Sequence, residues 1–113
     1  LVLGSINTVM PRISRNGDRC ATGHKCTKSA PVRASQFTVF ANGKELLRKG
    51  DKLKPHTILI PGPPPLFPKC LRHKASVRGS SRRVFAQGKK VVRKDDAGDK
   101  GKMTGASRNV YAG

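Results

Sequence analysis

The stretch Val39-Phe40-Ala41-Asn42-Gly43-Lys44-Glu45-Leu46-Leu47-Arg48-Lys49-Gly50-Asp51 decides the fold, because it recurs without a gap as Val84-Phe85-Ala86-Gln87-Gly88-Lys89-Lys90-Val91-Val92-Arg93-Lys94-Asp95-Asp96. Self-similarity of this kind marks a repeated supersecondary unit. Each copy is a hairpin by local rules. A β-prone run meets Asn42-Gly43 or Gln87-Gly88, and a second short run, Leu46-Leu47 or Val91-Val92, follows. Asn-Gly tolerates the two positive φ angles of a type I′ turn, whose twist suits paired strands. Corners lie between hairpins at Gly17-Asp18, Gly50-Asp51 and Asp95-Asp96. An Asp there bonds its own backbone and sets a sharp turn. No segment carries helical periodicity, and Lys44–Lys49 reads as the returning hairpin strand. The expected class is all-β, built from short strands.

Outward from that unit, Ser35 and Ser80 head the two full copies. A truncated third copy closes the chain as Gly105-Ala106-Ser107-Arg108-Asn109-Val110-Tyr111-Ala112-Gly113, and a fourth echo opens it in Gly4–Met10, with Ser5 and Val9. Two segments interrupt the pattern. Residues 57–73 carry Pro61-Gly62-Pro63-Pro64-Pro65, where proline is confined to loop or edge roles. Residues 97–104, rich in Gly and Lys, read as a mobile connection.

The chain has 113 residues, one domain's worth, with a 35% hydrophobic share, four Phe, one Tyr and no Trp. So little apolar bulk offsets conformational entropy poorly, and a staple is expected: a metal, a disulfide or a partner. No apolar run approaches the roughly 20 residues of a membrane-spanning helix, and Leu1-Val2-Leu3 does not open a signal peptide. The formal net charge of +18 suits phosphate, lipid head groups or another polyanion. The charge is dispersed in dyads, however, and aromatic platforms for base stacking are nearly absent. Three cysteines, Cys20, Cys26 and Cys70, and three histidines, His24, His56 and His73, all fall between positions 20 and 73. The odd count argues against a disulfide framework. Thiolates and imidazoles are preferred zinc ligands in sets of four, although free thiols and solvated histidines account for the same composition. The acids fall mostly at turn corners, and no nucleophile stands beside a histidine and a carboxylate in a recognisable order. A zinc hydrolase would need an open metal position and a general base; the histidines read as ligands and the chain as no enzyme.

The succession Gly17-Asp18-x-Cys20-x-x-Gly23-His24-x-Cys26, then Ser35…Val39-Phe40-x-Asn42-Gly43-Lys44…Arg48-x-Gly50-Asp51…His56, with Ser80…Val84-Phe85-x-x-Gly88-Lys89…Arg93 and Gly105-x-Ser107-x-Asn109-Val110, resembles the PAAR-repeat proteins over residues 10–113. The resemblance implies a small pseudo-threefold cone whose base sits on a trimeric β-helical spike protein, one copy per trimer. Its apex would be stiffened by structural Zn²⁺ held by histidines and a cysteine. Such proteins tip the central spike of contractile phage tails and of type VI secretion needles. The implied function is a piercing tip that meets the host envelope transiently, located in the virion tail baseplate after assembly in host cytoplasm. Repeats fill the chain and leave no effector extension, which favours the phage reading. The alternatives are a type VI tip, or a basic zinc-containing protein that binds nucleic acid.

Two departures stand out. Lys100 occupies the place expected for a third-corner cysteine, and Glu45–Arg48 and Lys90–Arg93 replace the family's naming dipeptides. Residues 1–9 read as an N-terminal extension before Met10-Pro11-Arg12. His24 and His56 follow equivalent corners, so pseudo-symmetry is expected to bring them together, with Cys70 and His73 completing the metal site; Cys26 is the main rival for the sulfur and Cys20 a lesser one. Strand alternation sends Val and Phe of each pair to opposite faces. Phe40, Phe85 and Tyr111 are therefore expected to form one outward surface for the spike, and Val39, Val84 and Val110 read as core. Nucleic acid is expected to bind only non-specifically, and no small-molecule substrate is expected.

Overall fold

Asn42 and Gly43 take φ of 53° and 76°, and Gln87 and Gly88 take 48° and 81°, as the two-residue hairpin loops require. The computed structural model describes residues 11–66 and 68–113. The proposed extension at residues 1–9 and the echo at Gly4–Met10 lie outside them. Every named strand pairs antiparallel with its neighbour in sequence: β1 (Arg19–Ala21) with β2 (Ser29–Pro31), β3 (Phe40–Ala41) with β4 (Lys44–Glu45), β5 (His56–Ile60) with β6 (Lys69–His73), β7 (Phe85–Ala86) with β8 (Lys89–Lys90), and β9 (Ala97–Gly98) with β10 (Gly101–Lys102). No helix occurs among the described residues. The all-β class is therefore observed.

The repeats are joined by a closed ring. Ser14 N donates to Val92 O at 2.9 Å, Val92 N to Leu47 O at 2.9 Å, and Leu47 N to Ser14 O at 3.1 Å. Corners at the same relative position follow the ring. The backbone N–H groups of Arg15, Arg48 and Arg93 donate to the carboxylates of Asp18, Asp51 and Asp96 at 2.7, 2.7 and 2.8 Å. Gly17, Gly50 and Asp95 hold the left-handed position in each corner, with φ of 85°, 92° and 71°. Asp serves there in the third copy because its short polar side chain tolerates that region.

The truncated terminal copy proves to be a complete unit. Ile13 N donates to Val110 O at 2.8 Å, as Leu46 N does to Val39 O and Val91 N to Val84 O, both at 3.0 Å. Residues 11–13 thus supply the returning strand for residues 110–112, and the two ends of the described chain close the third repeat. Its turn is set by Ser107 Oγ, which accepts from Asn109 N and Val110 N; Ser81 Oγ and Gln36 Oε1 do the same in the other copies. The equivalent residue is thus one place later than Ser35 and Ser80.

Two apolar clusters follow the same symmetry. One gathers Ile13, Leu46 and Val91 with Ala41, Ala86 and Ala112, and Val39, Val84 and Val110 pack against it. The other holds Val32, Val77 and Met103 with Cys20, Leu47, Leu53 and Val92. Residues 97–104 are not a mobile connection, as composition implied, but the β9–β10 hairpin, ending in fully buried Met103. Its glycines allow the close approach. A Cβ on Gly98 would lie 2.7 Å from Cys20 Sγ, and one on Gly101 would lie 2.6 Å from the Ala21 carbonyl carbon.

Candidate metal centre

Each repeat sends one donor past its corner: His24 after Asp18, His56 after Asp51, and Asp99 after Asp96. His73, the residue paired with His56 at the inner end of β5–β6, adds a fourth. The ring nitrogen or carboxylate oxygen of all four lie within 4.8 Å of one another. His24 Nε2 stands 3.0 Å from both Asp99 oxygens, His56 Nε2 is 2.7 Å from Oδ2, and His73 Nε2 is 3.2 Å from Oδ1. Asp99 holds φ of 52° at the tip of β9–β10, and its neighbour Lys100 N donates to Thr22 O at 3.1 Å. That bond ties the hairpin to the loop that carries His24.

Burial raises the Asp99 pKa, but hydrogen bonds with His24, His56 and His73 and the charge of His24 outweigh it and hold the carboxyl below its ordinary value. His56 Nδ1 lies 3.2 Å from Lys54 O. A carbonyl only accepts, so Nδ1 carries a hydrogen and Nε2 is the nitrogen that faces Asp99. Backbone anchoring of the outer nitrogen is how metal-binding imidazoles are oriented. Tetrahedral coordination at about 2.0–2.1 Å spaces donors about 3.3 Å apart, so a small shift from these distances admits an ion. The cluster can hold a metal ion.

The sulfur expected in the site is elsewhere. Cys70 is bonded to Cys26, with Cα atoms 6.0 Å apart, which corrects both the ligand role of Cys70 and the expectation of no disulfide. Cys26, the rival sulfur, is removed with it. Successive residues of a strand face opposite sides; Cys70 stands three places before His73 in β6, so the two cannot face one ion. Cys20 remains a free thiol, fully buried, its pKa pushed up to about 11 by burial and then by the Asp99 charge. Asp99 was absent from the sequence-based set, although its place after the third corner, matching His24 and His56, carried the signal.

The other expected surface residues stand on three equivalent hairpins. Phe40, Phe85 and Tyr111 are 53, 54 and 49% exposed, while the alanine after each is buried and the valine before each packs inward. In comparisons with known proteins, no family model matches this chain and no curated protein matches it.

Proposed function

We propose that this protein is a structural tip that caps the trimeric β-helical spike of a contractile phage tail and sharpens it for passage through the host envelope. The observation that carries the reading is the trio Phe40, Phe85 and Tyr111, nearly equal in exposure on threefold-related hairpins. A surface repeated three times about an axis complements the end of a trimer, and aromatic anchors dominate interface energies. The metal end supports the same role. Four protein donors, His24, His56, His73 and Asp99, converge within 4.8 Å of one another, and four protein ligands are the number a closed structural zinc site uses. Zn²⁺ held there gathers one donor from each repeat, adding folding free energy where side-chain packing is thin. On this reading the protein is no enzyme and resides in the tail baseplate of the virion.

The test is co-purification with a trimeric spike protein. The wild-type chain is expected to bind one copy per trimer, and the Phe40→Ser/Phe85→Ser/Tyr111→Ser variant is expected to lose binding while keeping its metal. Unchanged binding by that variant refutes the docking surface. Elemental analysis separates the ligand sets: Asp99→Ala is expected to lose the metal, whereas Cys70→Ser is expected to retain it.

A further inference from the structure

The β5–β6 hairpin stands apart from the repeats. Its register runs from His56↔His73 at the metal centre out to Ile60↔Lys69, which carries the connecting residues about 14 Å beyond the centre at a strand's rise of about 3.4 Å per residue. It packs chiefly on itself. The Thr27–Thr57 hydroxyl pair, at 2.8 Å, moors its inner half to the loop 22–28, and the Cys26–Cys70 disulfide ties the same loop to β6 opposite Leu59, one register short of the outer end. The outer half leaves aliphatic side chains in solvent: Leu59, Leu71 and Leu66 are 38, 41 and 71% exposed. The segment joining the strands is Pro61-Gly62-Pro63-Pro64-Pro65-Leu66-Phe67-Pro68, without a single charge. Behind this apolar end stand the exposed cations Lys54, Arg72 and Lys74. From Lys52 to Lys94 the chain contains no Asp or Glu at all.

We propose that this hairpin is an arm that inserts its apolar end among the acyl chains of an anionic phospholipid bilayer while its basic collar meets the headgroup phosphates. A mainly aliphatic end, with Lys69 at its outermost strand register, above a one-signed collar is the arrangement of interfacial lipid-binding segments, in which apolar burial and attraction to anionic headgroups add and a lysine stem can lie along the apolar surface. The absence of acids across the collar removes the repulsion that would oppose the approach. Nucleic acid shares the phosphate chemistry but fits less well. By sequence the arm carries one aromatic residue, Phe67, against three exposed leucines, and single-strand binding relies on successive bases stacked on several aromatic rings. The inference stands on the arm alone and does not require the spike-tip reading.

The experiment is co-sedimentation of the whole protein with large unilamellar vesicles of pure phosphatidylcholine or of an equimolar mixture with phosphatidylglycerol. The wild-type protein is expected to sediment with the anionic vesicles and not with the neutral ones. The Leu59→Ser/Leu66→Ser/Leu71→Ser variant is expected to lose at least tenfold in partitioning. The Lys54→Glu/Arg72→Glu/Lys74→Glu variant should lose on the order of a hundredfold, since each basic residue near such a surface contributes roughly fivefold. Reversal of Arg82, Arg83 and Lys89 on the body controls for net charge and should cost much less. All substituted side chains are exposed, and the unreactive Cys20 thiol reports that each variant is folded. Failure to bind anionic vesicles overturns the proposal. So does undiminished binding by the serine variant, an equal loss in the body-charge control, or arm variants that lose duplex DNA but keep the vesicles. Spike co-purification is read separately, so either conclusion can fail alone.

Discussion

Gly101→Ala tests whether packing of β9–β10 against β1 positions the metal centre. A Cβ at this position would lie 2.6 Å from the Ala21 carbonyl carbon and 3.1 Å from Ala21 Cβ. Carbon atoms in comfortable contact sit about 3.5–4.0 Å apart, so the hairpin must retreat by about 1 Å. The obstacle is backbone, which cannot rotate aside. Overpacking of this kind costs about 1–3 kcal/mol, which lowers Tm by about 4–12 °C in a chain of this size. Asp99 lies at the tip of the same hairpin, and metal–ligand distances tolerate only about 0.2 Å. A shift of about 1 Å therefore removes one of four donors, and affinity for Zn²⁺ in competition with a chromophoric chelator is expected to fall at least tenfold. Gly43→Ala is the control. Its added Cβ meets nothing within 4 Å, so it pays only backbone strain at φ of 76°, about 1 kcal/mol, and should keep full metal affinity. If Gly101→Ala melts with the control and binds Zn²⁺ as tightly as wild type, the packing argument is wrong.

Gln36→Ala is expected to cost about 2–3 kcal/mol in denaturant unfolding, because the buried amide accepts from Thr38 N and Val39 N and donates to Val39 O and Leu46 O; a loss below about 0.5 kcal/mol would show that the turn holds without it. Alkylation followed by mass measurement should label no thiol in the folded oxidised protein, Cys20 alone after unfolding without reductant, and all three cysteines after unfolding with reductant. The Cys20 pKa is raised in the folded state to about 11, against about 8.5 for an unfolded thiol. Its contribution to stability is therefore present below about pH 8.5 and lost as pH climbs toward 11. Thermal melts across that window should fall more steeply for wild type than for Cys20→Ala, and parallel curves would contradict the burial argument.

Local chemistry made much of this protein legible in its sequence. Asn42-Gly43 and Gln87-Gly88 dictate loops with positive φ, the corner aspartates dictate turns on their own backbone, and alternation dictates that Phe40 and Phe85 face away from the alanines that follow them. Each depends on residues within a few places of one another, so the repeat alone determined the all-β class, the hairpins and the outward aromatic trio. The tertiary structure decided what depends on contacts between distant segments. Residues 11–13 complete the terminal copy because the ring through Ser14, Leu47 and Val92 closes on itself, and no local pattern announces a partner from the other end of the chain. The Gly-rich run 97–104 looks mobile until β1 lies against it, where missing side chains become the condition for contact. Cys70 and His73 look like one ligand pair in sequence, but strand alternation parts them and Cys26 takes the sulfur. Asp99 reaches the three histidines only through that close approach of β9–β10 to β1. A side-chain cluster of this kind is a property of converging segments, and the sequence reading named three of the four residues that converge here.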